Sequence, residues 1–184
     1  MTPPTVLFVP GLRDHVAQHW QTLLEAALPN ARCVPRMEGD KLSRAAWVEA
    51  LDRSLADIDG PVVLVAHSAG VMITVHWAMR HARPIKGALL AAPPDFERPL
   101  PEGYPDQQVL LDNGWLPTPR ARLPFPSIVA ASTNDPLADL ARVASLATSW
   151  GSTLVEVGAV GHLNPAAGYG PWPRAADFVR ELSA

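Results

Sequence analysis

The segment Ala66-His67-Ser68-Ala69-Gly70 places a serine between small residues two positions to either side. It is a relaxed form of the G-x-S-x-G turn, which carries a nucleophilic hydroxyl on a sharp strand-to-helix bend. The two arms of such a bend nearly touch, so the outer positions must be small, as Ala66 and Gly70 are. The hydroxyl would stand clear of the strand, at the positive end of the following helix. Pattern alone does not single out Ser68, because Ala147-Thr-Ser149-Trp-Gly151 matches as well. There a helix should end at Gly151 and a strand should follow, whereas Ser68 comes directly after the apolar run Val62-Val-Leu-Val-Ala66. The competing role for Ser68 is plain helix N-capping.

An alcohol needs a base with a pKa of about 6–7 to become nucleophilic at neutral pH. His162, in Gly158-Ala-Val-Gly161-His162-Leu-Asn164, follows the last strand-like run and is the only histidine beyond His81. A carboxylate would fix its tautomer. Asp135, in Ser132-Thr-Asn-Asp135-Pro136, follows the preceding strand-like run; Asp95, after Ala91-Ala-Pro-Pro94, is its rival, and Asp139 suits the turn into a helix. Two backbone N–H groups should face the developing oxyanion, those of Ala69 and of Leu12 in Pro10-Gly11-Leu12-Arg13. Gly11 would let that backbone approach the substrate. Arg13 is placed to meet a substrate carboxylate or to remain a solvated loop charge, and His67 to touch a ligand beside the turn. Trp115 and Trp172 are expected to wall the pocket, together with Trp20 and Tyr169, although each also suits a core.

These residues require a scaffold that gathers strand ends. Strand-like runs at Val6–Val9, Arg32–Val34, Val62–Ala66, Ile85–Ala92, Ser127–Ala131 and Thr153–Val157 alternate with helical periodicity. The helices fall at about Ala17–Leu28, Ser43–Ile58 with Ser43 as N-cap, Val71–Met79, Leu137–Ser149 and Arg174–Leu182. Between Pro93 and Pro126 nine prolines in 34 residues predict extended loop with room for one short helix. Regular βα alternation predicts an α/β fold: a doubly wound, mostly parallel sheet with helices on both faces, in one domain over residues 1–184. The proline-rich 93–126 stretch is expected as a loop insertion near the site. Chemistry in such a sheet lies beyond the carboxyl ends of the strands, where all the candidates fall.

Other chemistries find less support. His15 and His19 are spaced to grip a metal from one helix, but H-E-x-x-H and a third ligand are missing, so no metal is expected. Phosphate-loop and dinucleotide fingerprints are absent, and no cofactor is expected. Cys33, the single cysteine, cannot form an internal disulfide and reads as structural, and His76 and His81 as packing or solvated. A net charge of −3 argues against a nucleic-acid surface. No apolar run approaches a membrane span, and the start, Met1-Thr-Pro-Pro4, lacks a basic then apolar leader, so a cytoplasmic protein is expected.

Taken together, Val9-Pro-Gly11, His19-Trp-Gln21, Val65-Ala-His-Ser-Ala-Gly70, His76-Trp-Ala78, Asn134-Asp-Pro136, Gly161-His-Leu-Asn164 and Gly168-Tyr-Gly-Pro-Trp-Pro173 resemble one family. It comprises the small serine hydrolases related to retinoblastoma-binding protein nine and the bacterial protein YdeN. The resemblance implies an α/β-hydrolase core without a large cap domain, and a triad of Ser68, Asp135 and His162, which lowers the claim of Asp95. The chain departs from bacterial relatives at Leu12–Gln18 and Arg36–Lys41, both expected to border the pocket. The expected function is hydrolysis of a small-molecule ester, thioester or amide through an acyl-enzyme. The alternatives are acyl transfer, or a protein-interaction module with little turnover that docks a protein partner through 93–126.

Overall fold

The computed structural model describes residues 3–184. The expectation about a leader also involves Met1 and Thr2, which lie outside the described residues. Elements follow in the order β1 (Thr5–Val9), α1 (Trp20–Ala27), β2 (Ala31–Cys33), α2 (Arg44–Ala56), β3 (Val62–His67) and α3 (Ala69–Ala78). The second half adds β4 (Gly87–Ala91), α4 (Gln107–Asp112), β5 (Ser127–Ala131), α5 (Leu140–Trp150), β6 (Thr153–Glu156), a 3-10 turn (Pro165–Ala167) and α6 (Pro173–Ser183).

All strand pairings are parallel, in the order β2-β1-β3-β4-β5-β6. Side chains alternate along each strand, and both faces are covered, which is why the central strands are apolar throughout. Leu7, Val9, Leu64 and Ala66 pack on the side of α2, α3 and α5. Val6, Phe8, Val63 and Val65 pack on the side of α1 and α6. The chain winds outward in opposite directions from β1 and β3, so their carboxyl ends open a crevice at the switch point.

Several boundaries differ from the periodicity. The α1 stripe suggests a start near Ala17, but the helix begins at Trp20, because His19 caps it by accepting the Gln21 N–H on Nδ1. Helix α5 begins at Leu140 instead of Leu137: Asp135 accepts the Leu137 N–H in a tight turn, and Asp139 is the N-cap residue. Helix α3 starts two residues before Val71, directly after Ser68. The 93–126 segment carries one short helix, α4, and its Phe96, Leu110, Trp115, Leu123 and Phe125 belong to the core. Among the described residues no helix is long and apolar enough to cross a membrane.

Candidate active site

Ser68 holds a backbone conformation that L-residues rarely adopt, with φ 57° and ψ −128°. Gly70 makes the bend possible: a Cβ there would lie 2.2 Å from the Val9 carbonyl oxygen, so α3 starts almost in contact with the end of β1. Ser68 occupies the N-cap place of α3, yet its side chain caps nothing. Its Oγ lies 2.8 Å from Nε2 of His162 instead. Among the described residues four non-glycines have positive φ, Asp14, Ser68, Ala92 and Leu163, and each follows the carboxyl end of a strand. Ser149, the second match to the pattern, lies inside α5 with its Oγ donating to the Ser145 carbonyl, and Gly151 closes that helix in the left-handed region.

His162 and Asp135 arrive on neighbouring loops, after β6 and β5. The Asp135 carboxylate brackets Nδ1 of His162, with Oδ2 at 2.8 Å and Oδ1 at 3.0 Å. Both side chains are almost fully buried. The loops are laced together by polar groups that sequence reasoning did not single out. Asn134 Oδ1 accepts from the Gly161 N–H, Ser132 Oγ from the Val160 N–H, and the Gly158 carbonyl from the Thr133 N–H. Ser132 also donates to Asn134, so both are partnered twice. Their only advance signal was position, at the carboxyl end of a strand.

From the opposite side His67, wholly buried, donates from Nε2 to the His162 carbonyl at 2.8 Å. Its ring lies 4.6 Å from that of His19 and 5.0 Å from that of His162. Burial, then the neighbouring histidine charges, hold the pKa of His67 well below its ordinary value. Burial and His162 lower His19 to about 4. Gln21, also not foreseen, donates from Nε2 to the carbonyls of Val9 and Val65, tying β1 to β3 at the switch point.

A cavity of about 260 Å³ opens above Ser68. Gly11, Leu12, Arg13, His67 and Ala69 border it as expected, with Arg13 carried 5.4 Å over the Tyr104 ring. A Cβ at Gly11 would come within 3.2 Å of the Ser68 Cβ, a contact tight enough to push the loop or the serine aside by a few tenths of an ångström. Among the described residues no protein acceptor takes up the N–H of Leu12 or Ala69. Segment 93–126 contributes Pro94, Phe96, Leu100, Tyr104 and Pro105 to the lining.

The aromatic walls need correction. Trp115 is 1% exposed and does not line the cavity: its indole N–H donates to the Leu42 carbonyl inside the α2–α3 core. Trp172 does not line it either, being packed edge-on against Trp20, 4.9 Å away, and against Phe178. Trp20 and Tyr169 belong to that second cluster as well. Asp95 is engaged elsewhere, accepting Nε and Nη2 of Arg142 at 2.7 and 3.1 Å. His15 and His19 share no helix, so the expected grip from one helix face does not form. Burial, and then Glu25 and Asp14, push the Cys33 thiol pKa up.

A parallel sheet with a strained serine at its switch point, and histidine and aspartate on the next loops, defines the α/β-hydrolase class. The chain belongs to the Serine hydrolase family, whose pattern it matches over residues 6–181. It is similar to the crystal structure of a YdeN-like hydrolase from Pectobacterium atrosepticum, at 31% identity over 99% of this chain and 94% of that one, with a TM-score of 0.80. The ydeN gene product of B. subtilis aligns over 97% and 98% of the two chains at 20% identity and a TM-score of 0.72. Est1E of Butyrivibrio proteoclasticus, solved with ferulic acid, shares the fold at 11% identity and a TM-score of 0.69, over 97% and 87%. No curated protein matches the sequence.

Proposed function

We propose that this serine hydrolase cleaves small esters, thioesters or amides through an acyl-enzyme on Ser68. The observation that carries the reading is the continuous hydrogen-bonded row Ser68–His162–Asp135 at the floor of the cavity. As Ser68 Oγ attacks the acyl carbon, Nε2 of His162 takes its proton, and Asp135 stabilises the imidazolium through Nδ1–H. The N–H groups of Leu12 and Ala69 donate to the oxyanion. His162 then protonates the leaving alcohol, thiol or amine. Water repeats the sequence in reverse roles, releasing the acid and restoring Ser68. No metal or cofactor enters this cycle.

The cavity suits a small acyl group with apolar character, since Leu12, Phe96, Leu100 and Leu137 line it. Arg13 at its border favours substrates with an anionic substituent. The interaction-module alternative gains little support from segment 93–126, which buries Phe96, Leu110, Trp115, Leu123 and Phe125 in the core and exposes one large aliphatic side chain among the described residues, Leu111. A fluorophosphonate probe tests the reading. Wild-type protein should be labelled covalently, Ser68→Ala should not be labelled, and His162→Ala should react far more slowly. Folded wild-type protein that resists the probe and turns over no p-nitrophenyl ester would refute it.

A further inference from the structure

Outside the hydrolytic cavity, three potential metal ligands converge from separate elements: His15 from the loop after β1, Glu25 from α1 and Cys33 from the end of β2. One donor atom of each lies within 4.8 Å of the others. All three line a separate, much smaller cavity of about 10 Å³, bordered also by Asp14, His19 and Thr22. That is room for about one water-sized atom. We propose that His15, Glu25 and Cys33 form a site for a single zinc-class divalent cation.

The donor set matches that chemistry. Thiolate and imidazole select zinc over magnesium or calcium, and the two anionic ligands neutralise a divalent ion. Zinc holds nitrogen at about 2.0–2.1 Å, carboxylate oxygen at about 2.0–2.2 Å and sulfur at about 2.3 Å, which sets tetrahedral ligands roughly 3.4–3.6 Å apart. The three donors, within 4.8 Å of one another, must therefore close by roughly 1.2–1.4 Å at most, a movement within the reach of a loop histidine and a helix-surface glutamate. Asp14 completes the arrangement. Its Oδ1 lies 3.2 Å from Nδ1 of His15, the carboxylate–histidine pairing that orients a ligating ring and leaves Nε2 for the ion. Binding converts the Cys33 thiol to thiolate and releases its proton to solvent. Asp14 also donates its N–H to the Gly11 carbonyl and borders the hydrolytic cavity, so the ion's outer shell reaches the loop that carries Leu12.

The test titrates reduced, EDTA-stripped protein with zinc against a chromogenic chelator, and repeats the titration with cadmium while recording ultraviolet thiolate-to-metal charge transfer. Wild type should bind one equivalent and develop the cadmium band. Cys33→Ser should abolish the band, and Cys33→Ser, His15→Gln and Glu25→Gln should each weaken zinc by at least ~10-fold. His162→Gln should bind as wild type, which separates this site from the active-site histidines. Thermal unfolding in EDTA establishes that each variant folds; zinc should then raise Tm for wild type and His162→Gln but not for Cys33→Ser. Should Cys33→Ser prove unfolded, His15→Gln and Glu25→Gln, altered at partly buried positions, carry the same test. Wild-type protein that takes up no zinc, a cadmium complex without the band, or unaltered zinc affinity in the ligand variants would overturn the proposal.

Discussion

Asp135→Asn is nearly isosteric, and the surrounding hydrogen bonds dictate how the amide must sit. The Leu137 N–H donates to Oδ1 at 2.9 Å, so the oxygen of the new amide is held at that position. Its NH₂ then occupies the place of Oδ2, 2.8 Å from Nδ1 of His162. A donor at this shorter contact repels a proton on Nδ1, against the weaker pull of the amide oxygen at 3.0 Å, and so favours the tautomer with the imidazole proton on Nε2. Nε2 faces Ser68 Oγ at 2.8 Å and in this tautomer donates to the hydroxyl instead of accepting from it. The base is present but carries the wrong proton. By analogy with the wrong-tautomer effect in serine proteases, kcat should fall about 10⁴-fold, equivalent to about 5.5 kcal/mol of barrier. KM and the urea unfolding midpoint should stay near wild type. The assay is steady-state cleavage of a p-nitrophenyl ester alongside Asp95→Asn. That second variant should keep the rate while losing stability, because it weakens a bidentate pair with Arg142. An Asp135→Asn enzyme within about tenfold of wild type, or a larger rate loss in Asp95→Asn, would refute the tautomer argument.

Two further outcomes follow from packing and from burial. Gly70→Ala should destabilise the fold by about 3 kcal/mol or prevent folding, since its Cβ would lie 2.2 Å from the Val9 carbonyl oxygen; equilibrium urea unfolding measures this. Stability should fall as pH drops below the unfolded histidine pKa of 6.5, because His19 and His76 are lowered to about 4 and His67 well below 6.5. The unfolded chain then binds protons that the folded one refuses, so stability is fully present above pH 6.5 and is lost toward pH 4, at up to about 4 kcal/mol per pH unit when all three contribute. Urea midpoints that stay level between pH 7 and pH 5 would contradict it.

The serine and both candidate acids were visible in the sequence because each follows an apolar run that forms a buried strand, and the histidine because it follows the last strand, β6, at the sheet edge; Ala66 and Gly70 mark the bend locally. The choice between Asp135 and Asp95 was not available from local signals alone. It turns on Arg142, 47 residues beyond Asp95, whose guanidinium occupies that carboxylate. Trp115 and Trp172 misled for a related reason. An indole is equally suited to a pocket wall and a core, and what decides is a distant partner, the Leu42 carbonyl in one case and Trp20 in the other. Gln21, Ser132 and Asn134 carry no pattern of their own, since their roles exist only once neighbouring loops have been brought together. The start of α1 was missed because a histidine nitrogen, not the customary hydroxyl or carboxylate, serves as its cap.

The lacing between the loops after β5 and β6 has a mechanical consequence. Asp135 and His162 ride on one stiff block at the margin of the sheet, whereas Ser68 is rooted in its middle. Thermal breathing of that margin therefore preserves the carboxylate–imidazole geometry and is absorbed in the gap to the hydroxyl. The bond from His67 to the His162 carbonyl spans the same gap and acts as a tether that limits how far it can open.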